Sequence, residues 1–427
     1  MEFQTLKKNH LKRNIIIGIL IVGIISAVVL NFTRAKYRTT QSIPLVTGTI
    51  NYSLADLNIV AITVDGKEVD SIPEGNYELT SESYCTVNGE KDESVKLSYD
   101  STTKGLSVTP MTTKGTKCYL DFNKKSTLKD TILANNSVNS GTPNFANTAT
   151  TDEGVYKTQD DWGDSYYFRG TVTNNWVKFA GYYWRIVRIN GDGSIRIIYN
   201  GTNTKTTGSS TMISSSQAFN SSYNRSEYVG YMYTTSQQHG NKTNSNIKAV
   251  IDTWYNSNLA NHADKISKEA GFCGDREMKS GYSWSSQPSS SIYYKAYERL
   301  NTNKSPSFKC SNSADLYTTS SSSKGNKKLA NPIGLIVADE VVMAGGAWNS
   351  GNSSYYLYNN ANYWTMSPFN FSSNGYAYVF CVSSASRLSY ASVDWTSGGV
   401  RPVINIASDV EITGSGTSSD PYIVVEN

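Results

Sequence analysis

Residues 363–406 read YWTMSPFNFSSNGYAYVFCVSSASRLSYASVDWTSGGVRPVINI, and the fold of the distal half of the chain turns on this stretch. Its two ends, Tyr363-Trp364-Thr365-Met366-Ser367-Pro368 and Gly399-Val400-Arg401-Pro402-Val403-Ile404-Asn405-Ile406, read as framework. Between them Ala377, Val379, Val382, Leu388 and Val393 keep a loose strand-like spacing, and Ser, Tyr, Asn, Asp, Phe, Arg and Trp fill most of the rest. Such a mixture makes a poor core and a good contact surface. Tyr and Trp give large rigid area at low entropy cost, while Ser and Asn give adaptable hydrogen bonds. An ordinary two-sided antiparallel sheet with a polar outer face is the competing reading.

Upstream, Pro332 to Val337 reads as a short buried strand and Ala338 to Gly346 as a short helix closed by glycine. Asp339 and Glu340 are neighbours in sequence, and adjacent helical side chains do not face one another. They are expected to compensate the helix N-terminus rather than to work as an acid/base pair. Two strand-like runs, Trp176 to Ile189 and Ser194 to Tyr199, flank Asn190-Gly191-Asp192-Gly193, a strong hairpin signal. Arg185, Arg188 and Arg196 are expected on its polar face. Ile247, Val250, Ile251, Trp254, Tyr255 and Leu259 recur at helical spacing behind a possible cap at Asn244 or Ser245. That helix should pack on the sheet, with Trp254 in the core. A final turn and strand runs from Ile412 to Val425.

Composition narrows the function. A net charge of +4, with Lys and Arg scattered, gives no basic footprint for nucleic acid. Three histidines against thirty tyrosines leave few candidates for a His general base or a His metal site. No CxxC or Cys/His cluster suggests zinc, Asp394 and Asp409 stand isolated, and neither a metal nor a cofactor is assigned. Of five cysteines, Cys85 and Cys118 lie in one early segment and Cys273 and Cys310 in a later one. They are expected to form two disulfides in an oxidising compartment, with buried thiols as the alternative. Cys381 is left over.

The basic run Lys7 to Arg13 precedes sixteen uncharged residues, 15–30, close to the ~20 that span a bilayer. A retained signal anchor with an inside N-terminus is expected, a cleaved signal peptide being the rival. In either case almost the whole chain is extracellular, and the retained anchor makes a single-pass plasma-membrane protein. Four segments follow: a tail and anchor at 1–36, an antiparallel β-sandwich-like spacer at 37–123, a linker at 124–153 and a binding domain at 154–427.

The frame YWTMSP, the Ser/Tyr/Asn-rich interior and the closing GGVRPVINI resemble the C-terminal variable domain of diversity-generating-retroelement target proteins. WRIVRINGDGSIRIIYNG, ADEVVMAGG and ITGSGTSSDPYIV look like parts of the same group of bacterial surface proteins. The resemblance covers roughly residues 154–427. It implies a C-type lectin-like fold, related to formylglycine-generating-enzyme-like domains; with the anchor and the first β module, which lie outside it, the expected class is α+β: transmembrane helix, small all-β sandwich-like module, lectin-like head. In that family an error-prone reverse transcriptase rewrites codons at adenines. The resemblance therefore implies variable contact positions at Asn370, Ser372, Ser373, Asn374, Tyr376, Tyr378, Cys381, Ser383, Ser386, Ser389, Tyr390, Ser392, Asp394, Trp395 and Thr396. On that reading Cys381 is a residue the last rewriting deposited. Formylglycine-generating enzymes bind copper through two cysteines close together near the end of their domain, and here no second cysteine follows Cys381.

The expected function is that of a receptor or adhesin, not an enzyme, binding an extracellular protein or glycan through residues 370–396. Tyr376, Tyr378, Tyr390 and Trp395 are its expected anchors. A cell-surface enzyme and a structural surface protein are the alternatives.

Overall fold

The computed structural model describes residues 58–72, 77–101, 104–109, 115–124 and 127–425. The expected anchor at 1–36 and the start of the spacer lie outside these residues. Among the described residues no helix is long and apolar enough to cross a membrane. The chain divides into two compact units, Met1–Lys125 and Ser126–Asn427, and it is mostly β with few, short helices.

In the first unit the strand Lys117–Lys124 alternates strictly, turning Cys118, Leu120 and Phe122 inward. Tyr77–Leu79 and Tyr84–Val87 pair with it antiparallel. Asn58–Val64 lies parallel to it, which corrects the expectation of a purely antiparallel module. The hairpin of Lys96–Asp100 and Gly105–Thr109 adds Leu106 and Val108 to the same core. Cys85 and Cys118 occupy directly paired positions and form a disulfide.

The second unit begins where a linker was expected. Thr127 Oγ1 accepts from the Asp130 amide and Asp130 Oδ2 from the Thr127 amide, 3.1 Å each, which starts the helix Leu128–Ala134. Its Leu128 and Ile132, one turn apart, are buried in the unit's core, and Val138–Asn139 adds a strand beside Gly154–Asp160. Ser, Asn and Gly dominate this segment, but Phe145 joins the same core, Ala149 is buried, and the Ala149 amide donates to the Gly345 carbonyl (3.1 Å).

The central hairpin forms as the sequence implies: Tyr182–Ile189 pairs antiparallel with Ile195–Tyr199. Trp176–Phe179 and Gly163–Arg169 take the other edge of the first strand, and Val403–Ile406 extends the sheet beyond the second. Both faces of this sheet are covered, so its arginines are not solvated. Arg188 donates to Asp160 (2.5 Å) and Glu340 (3.1 Å), and Arg196 lies 2.7 Å from Glu340. Glu340 Oε2 also accepts from the Val337 amide (3.0 Å), capping the helix Ala338–Ala344. Arg185 has no carboxylate partner among the described residues; it donates to Asn175 Oδ1 and the Val172 carbonyl beneath the Trp176 ring. Burial brings its pKa down to about 9. The helix Asn246–Asn258, capped by Ser245, buries Ile247, Ile251 and Tyr255, with Trp254 against Tyr182, Trp184 and Tyr199.

A disulfide from Cys273 to Cys310 closes a long excursion. Inside it Arg276 is fully used. Nε and Nη2 donate to Asp315 Oδ1 (3.0 and 2.6 Å), Nη1 to the Met232 and Gly240 carbonyls, and Nη2 also to Asn241 Oδ1. His239 Nδ1 lies 3.0 Å from Asp315 Oδ2. Burial works to raise the Asp315 carboxyl, but Arg276 and His239 outweigh it and hold the pKa below the usual range.

Candidate functional site

The two framework ends of residues 363–406 meet. The Trp364 amide donates to the Gly399 carbonyl (3.0 Å) and the Gly399 amide to the Asn362 carbonyl (2.9 Å). The stretch between them thus leaves and returns at one closed base, and much of it is core: Val379, Phe380, Val382, Leu388 and Val393 are fully buried. Buried Arg401 locks that base, donating to the Tyr199 and Leu357 carbonyls (3.1 Å each) and to Asn200 Oδ1 (2.8 Å). Its guanidinium lies 4.9 Å from the centre of the Tyr363 ring. Two glycines are required by close approach. A Cβ at Gly398 would lie 2.2 Å from Trp364 Nε1, and one at Gly399 would lie 2.0 Å from Met212 Sδ.

Three strands of this stretch join Ile292–Tyr293 in a four-stranded antiparallel sheet, in the order Ile292–Tyr293, Tyr363–Phe371, Ala377–Val382, Leu388–Ser392. Register fixes which side chains share a face. Tyr378 opposes Ser392 and Phe380 opposes Tyr390, while Cys381 opposes both Ser389 and Trp364 on the other face.

On the first face the rings join into a band. Tyr390, 45% exposed, stacks on buried Phe369 with centroids 4.1 Å apart. Tyr378 meets Tyr390 edge-on at 5.4 Å, Tyr376 follows at 6.5 Å from Tyr378, and Tyr223, 37% exposed, stacks on Tyr376 at 4.5 Å. In the other direction Phe369 contacts Trp348 (5.1 Å) and Tyr297 (5.3 Å), which leads to Tyr293 (4.6 Å) and Tyr282 (5.7 Å). The ammonium of Lys279 closes this end, 5.5 to 6.0 Å from the centres of the Tyr282, Tyr293 and Tyr297 rings. The Tyr223 phenol and then burial raise the pKa of Tyr376, with a smaller push from Asp394.

The expected variable positions divide. Ser372, Ser373, Asn374 and Tyr376 form the turn beside the band, where Asn374 Nδ2 donates to the Tyr378 hydroxyl (3.3 Å). Tyr378, Tyr390 and Ser392 lie on the band's face, and the Ser392 hydroxyl donates to Asp394. Ser383 and Ser386 sit in the turn at the opposite end of the hairpin. Ser389 opposes Cys381, and Trp395 packs edge-on against Trp364 at 5.6 Å, on the side away from the band. Thr396 is exposed beyond it, its carbonyl accepting from Ser216 Oγ. Two positions are corrected outright: Asn370 is 5% exposed and Cys381 3%, so neither presents a contact surface. Both lie on inner strands paired on each side, Asn370 between Tyr293 and Tyr378 and Cys381 between Trp364 and Ser389. Burial drives the Cys381 thiol up to about 12, only partly offset by Arg387.

Sequence reasoning missed Tyr223, Tyr282, Tyr293, Tyr297 and Trp348. The signal was present in the Tyr/Ser-rich run 280–297 (SGYSWSSQPSSSIYYKAY), whose composition matches that of 370–396. Its placement beside the latter depends on Tyr293 pairing with Asn370 across 77 positions of chain, by subtraction of their numbers.

A separate small cleft, partly open to solvent, lies among Asp161, Arg188, Arg299, Asp339 and Glu340. Arg299 Nη2 bridges Asp275 (2.6 Å) and Asp339 (2.8 Å). Asp161 accepts from the Cys310 amide (3.1 Å), and burial raises its pKa. Within this cleft Asp339 is held by Arg299, and Glu340 by Arg188 and Arg196. Among the described residues no three His, Cys, Asp or Glu side chains are grouped to hold a metal ion. Compared with known proteins, the chain matches no family model, no curated protein and no solved structure.

Proposed function

We propose that this protein is an extracellular receptor or adhesin, tethered to the plasma membrane through residues 15–30, that binds its ligand on the aromatic band. The distal unit is read as a C-type lectin-like scaffold of the diversity-generating-retroelement target group. One observation carries the proposal: Tyr223, Tyr376, Tyr378 and Tyr390 form a continuous, partly exposed strip resting on a buried ring, Phe369. Soluble proteins seldom expose connected aromatic area without a partner for it. The closed base of Trp364, Gly399 and Arg401 supports the same reading, because it holds the sheet's ends fixed whatever side chains occupy its few exposed positions. Two disulfides suit an oxidising environment outside the cell.

Cells displaying the full chain are to be compared with cells displaying Tyr390→Ala or Tyr376→Ala for adhesion to a panel of cell surfaces and secreted mucins. The proposal expects adhesion to fall at unchanged display level and melting temperature. Equal adhesion by all three would sink it. Sister genes from the same genome give a second check: their differences should fall on exposed positions of 372–396 and spare the frame.

A further inference from the structure

We infer that the ligand of the aromatic band is a neutral polysaccharide laid along it, an inference that rests on the band being the binding surface. Two pairs of near-parallel rings prepare the band for flat rings. Tyr390 lies at 13° to Phe369 and Tyr223 at 14° to Tyr376, and Tyr390 and Tyr223 are the exposed members. Their orientation is set by packing before any ligand arrives, which removes part of the ordering cost of binding. A pyranose offers a face of C–H bonds carrying slight positive charge, and the face of an aromatic ring is negative. Its hydroxyls then point sideways. On this band they meet the hydroxyls and amides of Ser372, Ser373, Asn374 and Ser392, together with the phenols themselves.

Charge argues against the other ligand classes. Lys279 is the one cation placed over rings of the band among the described residues, and it stands at one end. A polyanion needs clustered basic groups. Protein hot spots centre on aromatic and arginine side chains in desolvated sockets, and no described arginine stacks on a ring of this band. The band runs through successive rings from Tyr282 to Tyr223, so it suits a chain of sugars better than a single one.

The test is sedimentation of the purified full chain with insoluble cellulose, chitin, xylan and mannan, and its capture on mucin before and after periodate, which cleaves sugar diols and spares peptide. At least one polysaccharide is expected to retain the protein. Tyr390→Ala and Tyr223→Ala should each weaken retention by about tenfold or more, and Tyr390→Phe should preserve it. Raising salt to about 1 M, where surface charges are screened, should change little, as should a chelator. Capture on mucin that needs Tyr390 but survives periodate overturns the glycan inference and keeps the band as the binding surface. No retention on any of the five materials overturns the glycan inference alone, leaving the band to the adhesion test. Retention that both alanine variants share with the wild type overturns the band itself.

Discussion

Tyr390 stacks on Phe369 at 4.1 Å, so a residue that is 45% exposed takes its orientation from one that is buried. The two rings therefore answer to different tests. Tyr390→Ala removes exposed area and should leave the melting temperature nearly unchanged while binding falls. Phe369→Ala opens a cavity under the sheet and should cost about 3–5 kcal/mol, read by denaturant unfolding. If Tyr390→Ala destabilises as much as Phe369→Ala, the ring is core and not surface.

Trp395 was expected to be a ligand anchor, but its ring packs edge-on against buried Trp364, away from the band. Trp395→Ala is expected to cost about 1 kcal/mol or more of stability and to leave the affinity of the folded protein unaltered. Gly398→Ala drives a methyl group into the same Trp364 ring, and a penalty of about 1–3 kcal/mol is expected. Thermal melts of both variants beside a binding curve separate the two roles.

Cys381 should be inert while the protein is folded. The thiolate is the reactive form, and burial holds the thiol near 12. Labelling by a maleimide at neutral pH should therefore follow unfolding, appearing across the denaturant transition. Rapid labelling of native protein would show that the strand Ala377–Val382 opens readily.

The Cys273–Cys310 bridge closes a loop that carries Tyr282, Tyr293 and Tyr297, its cysteines 37 positions apart. Replacing both by serine should lower stability by roughly 4 kcal/mol on a chain-entropy estimate. Because three rings of the band ride on this loop, ligand affinity should fall too. Unchanged affinity in the serine variant would show that the loop is held by packing alone.

Asp315 gives the acid limb of stability. Its folded pKa is depressed, so the charge stabilises the fold fully above the unfolded value of ~3.9. That contribution fades as pH drops through the lower folded value. The difference in melting temperature between wild type and Asp315→Asn should accordingly be widest above about pH 5 and narrow below ~3.9. A gap that does not change with pH would mean that shape, not charge, is what Asp315 supplies to Arg276.

Much was legible locally because local rules suffice for it. Asn190-Gly191-Asp192-Gly193 makes its turn, the residues from Ile247 to Leu259 make their helix, and the four paired cysteines join as neighbours in sequence suggested. Alternation failed where burial on both faces removed the polar side: Arg188 and Arg196 look like surface residues in the sequence and lie inside an ion-pair network. In 124–153 the short helix is legible at its start, but the Ser, Asn and Gly after it read as linker because the partners that bury Phe145 and Ala149 come from distant parts of the chain.

What the sequence determined by itself is the chemistry of the surface: where Tyr, Ser and Asn replace aliphatic residues, and which glycine- and arginine-bearing ends frame them. The tertiary structure alone decided which of those side chains stand together. Strand register put Tyr378 and Tyr390 on one face and Cys381 on the other, packing set Trp395 against Trp364, and pairing of Tyr293 with Asn370 brought a distant loop alongside. A one-residue change of register would exchange the faces without altering a letter of the sequence, because side chains alternate along a strand while composition does not record which side they take.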